Sequence, residues 1–201
     1  RLSGPALANA MFAGFGSTDV GRVVDMGIAT TPACFMTTVT PGVACDAGIM
    51  LTASHLPFNR NGAKFFTSEG GLDKADIKRI CEDAAAACEA APDGHAIPLD
   101  GVDDAVESVP FLETYAAQLR DLIKKGANHP TAYDKPLTGM KIIVDAGNGS
   151  GGFFAKSVLE PLGADVSGSQ FLDPGGKFPN HSPNPEDAEA MDSAVAATVK
   201  A

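Results

Sequence analysis

Ile49, Met50 and Leu51 form a short apolar run that ends in a polar loop rather than in a helix. A run of that length, opened by Gly48, reads as a strand buried on both faces, and residues 64–67 read as a second strand beyond the loop. Pro57 removes a backbone donor and Gly62 permits a positive φ, so the chain between the strands turns without extending a ladder or starting a helix. The loop carries Ser54, His55, Asn59, Arg60 and Asn61, and Lys64 begins the second strand. A hydroxyl among cations and amides suits a phosphate ester, whose oxygens those groups neutralise and hydrogen-bond. The same side chains also satisfy backbone groups in an ordinary turn, so the local pattern leaves both readings open.

Strands and helices alternate on either side of this stretch. Ser3 as N-cap and Pro5 in the first turn predict a helix with Leu7, Met11 and Phe15 on one buried face, ended by Gly14 and Gly16. Residues 22–28 read as a strand and 31–38 as a short helix opened by Thr31-Pro32. Asp73 caps a predicted helix over 74–90, with Ile77, Ile80, Cys81, Ala84 and Cys88 inward. Residues 92–110 are acidic and rich in Pro and Gly. Their Asp100, Asp103, Asp104 and Glu107 lack the Gly and Glu spacing of an EF-hand, so they read as a solvated loop rather than a calcium site.

Residues 110–125 repeat the helical spacing, with Phe111, Tyr115, Leu119 and Leu122 inward and Gly126 just past the end. Residues 128–138, with Pro130 and Pro136, read as a linker. Beyond it come a strand over 140–144, a glycine loop over 145–152, a helix over 153–162 closed by Gly163, and a strand begun at 164–167. A Pro- and Gly-rich structured loop over 171–185 and a helix over 186–200 complete the chain. This order predicts two three-layer α/β/α domains with mixed, largely parallel sheets, 1–127 and 139–201, whose sites gather at the carboxyl ends of strands.

With 201 residues, 44% of them hydrophobic, the chain can bury a core. A net charge of −10 argues against nucleic acid or an anionic membrane as partner and points to a small molecule. An anionic ligand then needs a local basic spot, such as Arg60 with Lys64. No apolar run reaches the length of a membrane span. Cys34, Cys45, Cys81 and Cys88 show neither C-x-x-C spacing nor paired histidines, which predicts mostly buried, unbridged thiols and a reducing, intracellular compartment, cytoplasmic or organellar. The chain starts at Arg1, within a predicted helix start, and reads as a fragment or a processed chain with any targeting segment upstream.

Thr52-Ala53-Ser54-His55-x-Pro57 followed by Asn61-Gly62-x-Lys64 closely resembles the active-site serine loop of the α-D-phosphohexomutases, the superfamily of phosphoglucomutase and phosphomannomutase. Arg1-Leu2-Ser3-Gly4-Pro5, Asp25-Met26-Gly27 with Thr31-Pro32, Asp145-Ala146-Gly147-Asn148-Gly149, and Phe178-Pro179-Asn180-His181-x-Pro183-Asn184-Pro185 resemble further landmarks of its first two domains. The resemblance implies interconversion of hexose 1-phosphate and hexose 6-phosphate through a phosphoserine and a bisphosphorylated intermediate. It implies Ser54 as the phosphoserine, His55 as its neighbour and Lys64 as an acid-base or electrostatic group, with Arg1, Arg60 and Asn61 in the phosphate environment. It also implies Mg2+ bound through the Ser54 phosphate, with a hexose 1,6-bisphosphate as activator. The carboxylates that hold magnesium in the family come from an Asp-Gly-Asp-Gly-Asp-Arg loop that this sequence lacks, so the 201 residues alone are expected to be inactive. Leu56 stands where many members carry Asn, which removes an amide from the loop.

Three rival readings remain. Gly147-x-Gly149-x-x-Gly152 matches a dinucleotide fingerprint, which would make the chain a nicotinamide oxidoreductase, but Asp165 comes too early and Asp173 falls in the Pro/Gly loop for the ribose-binding acid. Glycines placed for a tight turn and close packing explain the same loop. A serine hydrolase on Ser54 lacks a Gly-x-Ser-x-Gly elbow, and His95, His129 and His181 read as plain loop histidines. The third is a mutase-like binding module without catalysis, against which stand the intact Ser54 and Lys64.

Overall fold

The computed structural model describes residues 1–91 and 106–201, so the acidic stretch over 92–105, with His95, lies outside the described residues. The fold is mixed α/β: α1 (Gly4–Gly16), β1 (Val23–Asp25), α2 (Thr31–Val39), β2 (Gly48–Leu51), β3 (Ala63–Thr67), β4 (Gly70–Gly71), α3 (Lys74–Ala90), β5 (Val106–Ser108), α4 (Phe111–Ala127) and α5 (Ala188–Lys200). Both pairing modes occur. β1 pairs in parallel with β5, whereas β2, β3 and β4 form an antiparallel sheet with Met50 opposite Lys64. β2 and β3 are therefore the two arms of a long hairpin, and the loop between them is its tip. Among the described residues no helix is long and apolar enough to cross a membrane.

Local chemistry sets the helix starts. The Thr30 hydroxyl accepts from Ala33 N at 3.3 Å with Pro32 in the first turn, and Asp73 Oδ1 accepts from Ala75 N and Asp76 N at 2.8 and 2.9 Å. Ser3 departs from expectation: it makes no side-chain cap bond, and its hydroxyl accepts from Asn61 Nδ2 in the serine loop at 3.0 Å. α4 ends one residue beyond Gly126, on Asn128 in the left-handed region at φ 41°.

Packing falls into three clusters. Ala29, Ala33 and Phe111 are buried together with Met26, Met36, Val43 and Tyr115 around them. Ala155, Leu159, Ala164 and Val166 pack with Leu137, Ile142, Val144 and Leu172. Ala116, Val158 and Leu162 join α4 to the helix of the second half. Burying Phe111 and Leu162 contributes about 1.5–3 kcal/mol each. α4 thus bridges both halves, its first residue in the first cluster and its middle in the third.

Several expected faces and spans differ. Leu7 and Leu122 are exposed, and α3 has no fully buried residue: Ile77 and Ile80 are half-buried, while Cys81, Ala84 and Cys88 lie at the surface. Periodicity identified apolar stripes that other elements of these residues do not cover. β2 is half-buried rather than covered on both faces, and of the predicted strand over 22–28 only Val23–Asp25 pairs, with Ile28 exposed. Val106–Ser108, read as part of a solvated loop, is a strand whose Glu107 meets Arg22 at 2.7 Å.

In the second half, 140–144 and the segment after Gly163 meet through two isolated parallel bridges, Lys141 to Asp165 and Asp145 to Gln170. One extra residue on the second segment, with Gly168 at φ 97°, prevents a continuous ladder, and the Ser169 hydroxyl takes Val144 N. The predicted helix over 153–162 is a π-helix across Phe154–Leu159, with Glu160 N donating to Ala155 O and Ala164 N to Leu159 O. Val158 and Leu162 face α4, while Ala155 and Leu159 face the bridged segments.

Candidate active site

The serine loop is closed at its neck by Thr52 N donating to Gly62 O at 2.9 Å. Inside it, Leu56 N donates to Ala53 O and Arg60 N to Pro57 O, two successive turns that leave little backbone free to move. Ser54 stands in the left-handed region at φ 52°, a strained state for a residue with a Cβ, costing about 1–2 kcal/mol. Its N–H donates to Thr52 Oγ1, and its carbonyl accepts from Arg1. The Arg1 guanidinium also donates to the carbonyls of Leu56 and Pro57, so one side chain holds three carbonyls of the loop. The result is an exposed serine on an over-determined turn.

Ser54 and Thr52 form one side of a cleft of about 260 Å³ whose other side comes from the second half of the chain, including Asp145, Gly147, Ser150, Phe178 and His181. Of the six residues expected from the sequence, Ser54 lines this cleft. Arg1 lies behind the loop, spending its donors on carbonyls and stacking 5.1 Å over the Phe178 ring. Asn61 turns its amide to Ser3 and its carbonyl oxygen to Gly62 N. His55, Arg60 and Lys64 are exposed, the first two on the loop and Lys64 on β3.

The opposite wall is built on Asp145, at the carboxyl end of the bridged segment. Its Oδ1 accepts from Gly147 N at 2.9 Å and faces His181 Nε2 at 3.0 Å, and its Oδ2 accepts from Gln170 Nε2 at 2.9 Å and from the Ser193 hydroxyl at 3.3 Å. Both side chains of the Asp145–His181 pair are 8% exposed. Burial pushes the Asp145 carboxyl up, but hydrogen bonds from His181, Gln170 and Gly147 outweigh it and hold its pKa below the ordinary value. The Ser182 carbonyl and Asp145 raise the pKa of His181 against its own desolvation.

His181 is therefore not the plain loop histidine expected, and sequence reasoning missed this pair. Its signals were an acid closing an apolar run at a strand's carboxyl end, and a histidine in a Pro- and Gly-rich loop. His129 does match the plain reading, its Nδ1 accepting from Thr131 N and Ala132 N.

The glycines of 145–152 have local reasons. Gly147 holds φ 51°, and a Cβ there would lie 2.7 Å from the His181 ring, while a Cβ on Gly152 would lie 1.8 Å from Leu172 O. Turn geometry and close packing account for the spacing that resembled a dinucleotide fingerprint. Among the described residues no group of three or more His, Cys, Asp or Glu side chains is placed to hold a metal ion. These residues therefore do not by themselves fit a magnesium site.

The chain belongs to the phosphoglucomutase/phosphomannomutase family: residues 1–90 match the family's α/β/α domain I and residues 115–201 its α/β/α domain II. It is 34% identical over 166 residues to a phosphoglucosamine mutase of Symbiobacterium thermophilum, covering 83% of this chain and 34% of that protein. It is 33% identical over 198 residues to a phosphomannomutase/phosphoglucomutase of Pseudomonas aeruginosa, covering 98% of this chain and 37% of that protein. A crystal structure of a phosphoglucomutase/phosphomannomutase family protein from Burkholderia thailandensis superposes with a TM-score of 0.72 at 25% identity, over 98% of this chain and 39% of that one. The chain spans about a third of the length of the curated relatives it matches.

Proposed function

We propose that this chain supplies the phosphoserine loop of a hexose-phosphate mutase, with Ser54 as the group that carries the phosphoryl. The observation that carries the reading is Ser54 itself, held at φ 52° at the edge of a cleft by a loop whose carbonyls are tied to Arg1. In this reading a hexose 1-phosphate binds, and the Ser54 Oγ–P bond breaks as a bond from phosphorus to the sugar 6-oxygen forms, the 6-hydroxyl proton passing to Ser54 Oγ, to give the hexose 1,6-bisphosphate. Ser54 Oγ then takes the phosphoryl from the 1-position as its proton passes to the 1-oxygen, and the hexose 6-phosphate leaves. Such transfer depends on in-line positioning and charge neutralisation more than on a covalent network. Lys64 and Arg60 supply cations on the same hairpin, and His55 and Asn61 the neighbouring polar groups.

The relatives' names span phosphoglucosamine, phosphoglucose and phosphomannose chemistry, which supports a hexose phosphate as the substrate class. The family likeness carries a metal requirement, for which magnesium is our reading. Such a metal would neutralise charge on the transferring phosphoryl, and the described residues do not by themselves form its site. The test is intact mass and peptide mapping of the full-length protein after incubation with glucose 1,6-bisphosphate and magnesium. One phosphate on Ser54, absent from Ser54→Ala, is the expected result. An unmodified Ser54 would refute the reading.

A further inference from the structure

The Asp145–His181 pair closes the cleft from the side opposite Ser54, and its geometry favours one protonation state. His181 Nδ1 lies 2.8 Å from the Ser182 carbonyl, and Nε2 lies 3.0 Å from the Asp145 carboxylate. A carbonyl only accepts, and an ionised carboxylate only accepts, so both ring nitrogens must donate. A neutral imidazole has one N–H and can serve only one of them. Both contacts are made as hydrogen bonds only by the imidazolium, so this geometry stabilises the protonated ring beside the carboxylate, and the Phe171 ring packs edge-on against His181 at 5.6 Å. The charged groups acting on the ring are Asp145, at the end of the bridged segment, and Glu189 on α5.

This pair anchors a segment that reaches the serine loop. Between Phe171 and His181 the chain runs past the N-terminal residues so closely that a Cβ on Gly176 would lie 2.8 Å from Leu2 N. Asn180 Nδ2 donates to Asn148 Oδ1 at 2.6 Å, and Phe178, itself at φ 50°, lies beneath the Arg1 guanidinium. That guanidinium donates to the carbonyls of Ser54, Leu56 and Pro57. The chain from Phe178 to His181, with its contacts to Asn148 and Arg1, thus joins the histidine on one wall to the strained serine on the other.

We propose that Asp145 and His181 are positioning residues for Ser54, holding residues 178–185 so that Phe178 backs the Arg1 clamp on the serine loop. The proposal rests on the reading of Ser54 as the phosphoryl carrier. When His181 loses its proton, one of its two acceptors is abandoned, the segment loosens, and Arg1 loses the ring beneath it.

The experiment follows the rate at which phosphate appears on Ser54 of the full-length protein given glucose 1,6-bisphosphate and magnesium. Wild type, His181→Gln, Phe178→Leu and the double variant are compared across pH by peptide mass. Each single variant is expected to slow the reaction roughly tenfold, and the double variant to be little slower than the slower single one, because both break one chain of contacts. The wild-type rate should fall as pH rises through the His181 pKa, and His181→Gln should lack that step. Folded single variants with wild-type rates, or losses that multiply in the double variant, would overturn the proposal. Should His181→Gln fail to fold, a wild-type profile without the step overturns it equally. Wild type that takes phosphate while the variants are unaffected refutes only the positioning role. Wild type that takes none refutes the phosphoserine reading and the positioning role with it.

Discussion

Alanine at two glycines should change stability in opposite directions, and the difference tests how tightly the second half is packed. A Cβ on Gly152 would stand 1.8 Å from Leu172 O, 2.6 Å from its carbonyl carbon and 2.8 Å from its Cα, all backbone atoms that cannot rotate away. Relief requires the segment at Leu172 to move by more than an ångström, and Leu172 packs on the cluster of Ala155, Leu159, Ala164 and Val166. Forced displacement of packed chain costs about 1–3 kcal/mol or more, against a gain of about 0.5–1 kcal/mol from removing glycine's freedom in the unfolded chain. The net for Gly152→Ala is a loss of about 1–2 kcal/mol, or a Tm lower by about 2–8 °C. Gly126, in the last turn of α4, has nothing within 4 Å of its would-be Cβ. Gly126→Ala should therefore raise stability by about 0.5–1 kcal/mol. Urea and thermal unfolding followed by circular dichroism measure both. Gly152→Ala melting at or above wild type, with Gly126→Ala behaving as expected, would refute the close approach of Leu172.

The Asp145–His181 pair gives stability a pH window. The His181 pKa is raised above its ordinary 6.5, so its contribution is full below 6.5 and lost as pH rises through the raised value. The Asp145 pKa is lowered from 3.8, so its contribution is present above 3.8 and lost as pH falls through the lowered value. Unfolding of wild type and Asp145→Asn should thus differ most between 3.8 and 6.5, and a constant gap from acid to alkali would contradict the pairing. Asp73→Ala removes the acceptor for two N–H groups at the start of α3 and should cost about 1 kcal/mol, while Asp73→Asn should cost less. Cys34 is buried, and its thiol is pushed up to about 11, chiefly by desolvation. Brief iodoacetamide treatment at neutral pH followed by peptide mapping should therefore modify exposed Cys81 and spare Cys34.

What could be read from the sequence, and what could not, follows the range of the interactions. Asp73, Pro32 and the polar loop between two short apolar runs act within a few residues of themselves, and each appears where the sequence placed it. Periodicity found the apolar stripes of α1, α3 and α4, but it cannot say what covers a stripe, and Leu7, Cys81 and Leu122 are uncovered among these residues. Val106–Ser108 was hidden because a three-residue strand has too few positions to show a period, and its partner lies 83 residues away at Val23. The site divides the same way. Ser54 was legible from its own neighbours, whereas the wall it faces depends on Asp145 meeting a histidine 36 residues later.

Arg1 was expected in the phosphate environment of the loop, and the structure shows what its donors meet there. A guanidinium near a phosphate loop reads as an anion ligand, yet here its donors go to three carbonyls of the loop. The guanidinium therefore braces the turn that carries Ser54. Ser54 at φ 52° and Phe178 at φ 50° are both left-handed without being glycine, one on each side of that guanidinium. Strain of this kind persists only where surrounding contacts over-determine the backbone. The serine loop and the loop that faces it therefore stand or fall as one unit, which is why a change at His181 should be felt at Ser54.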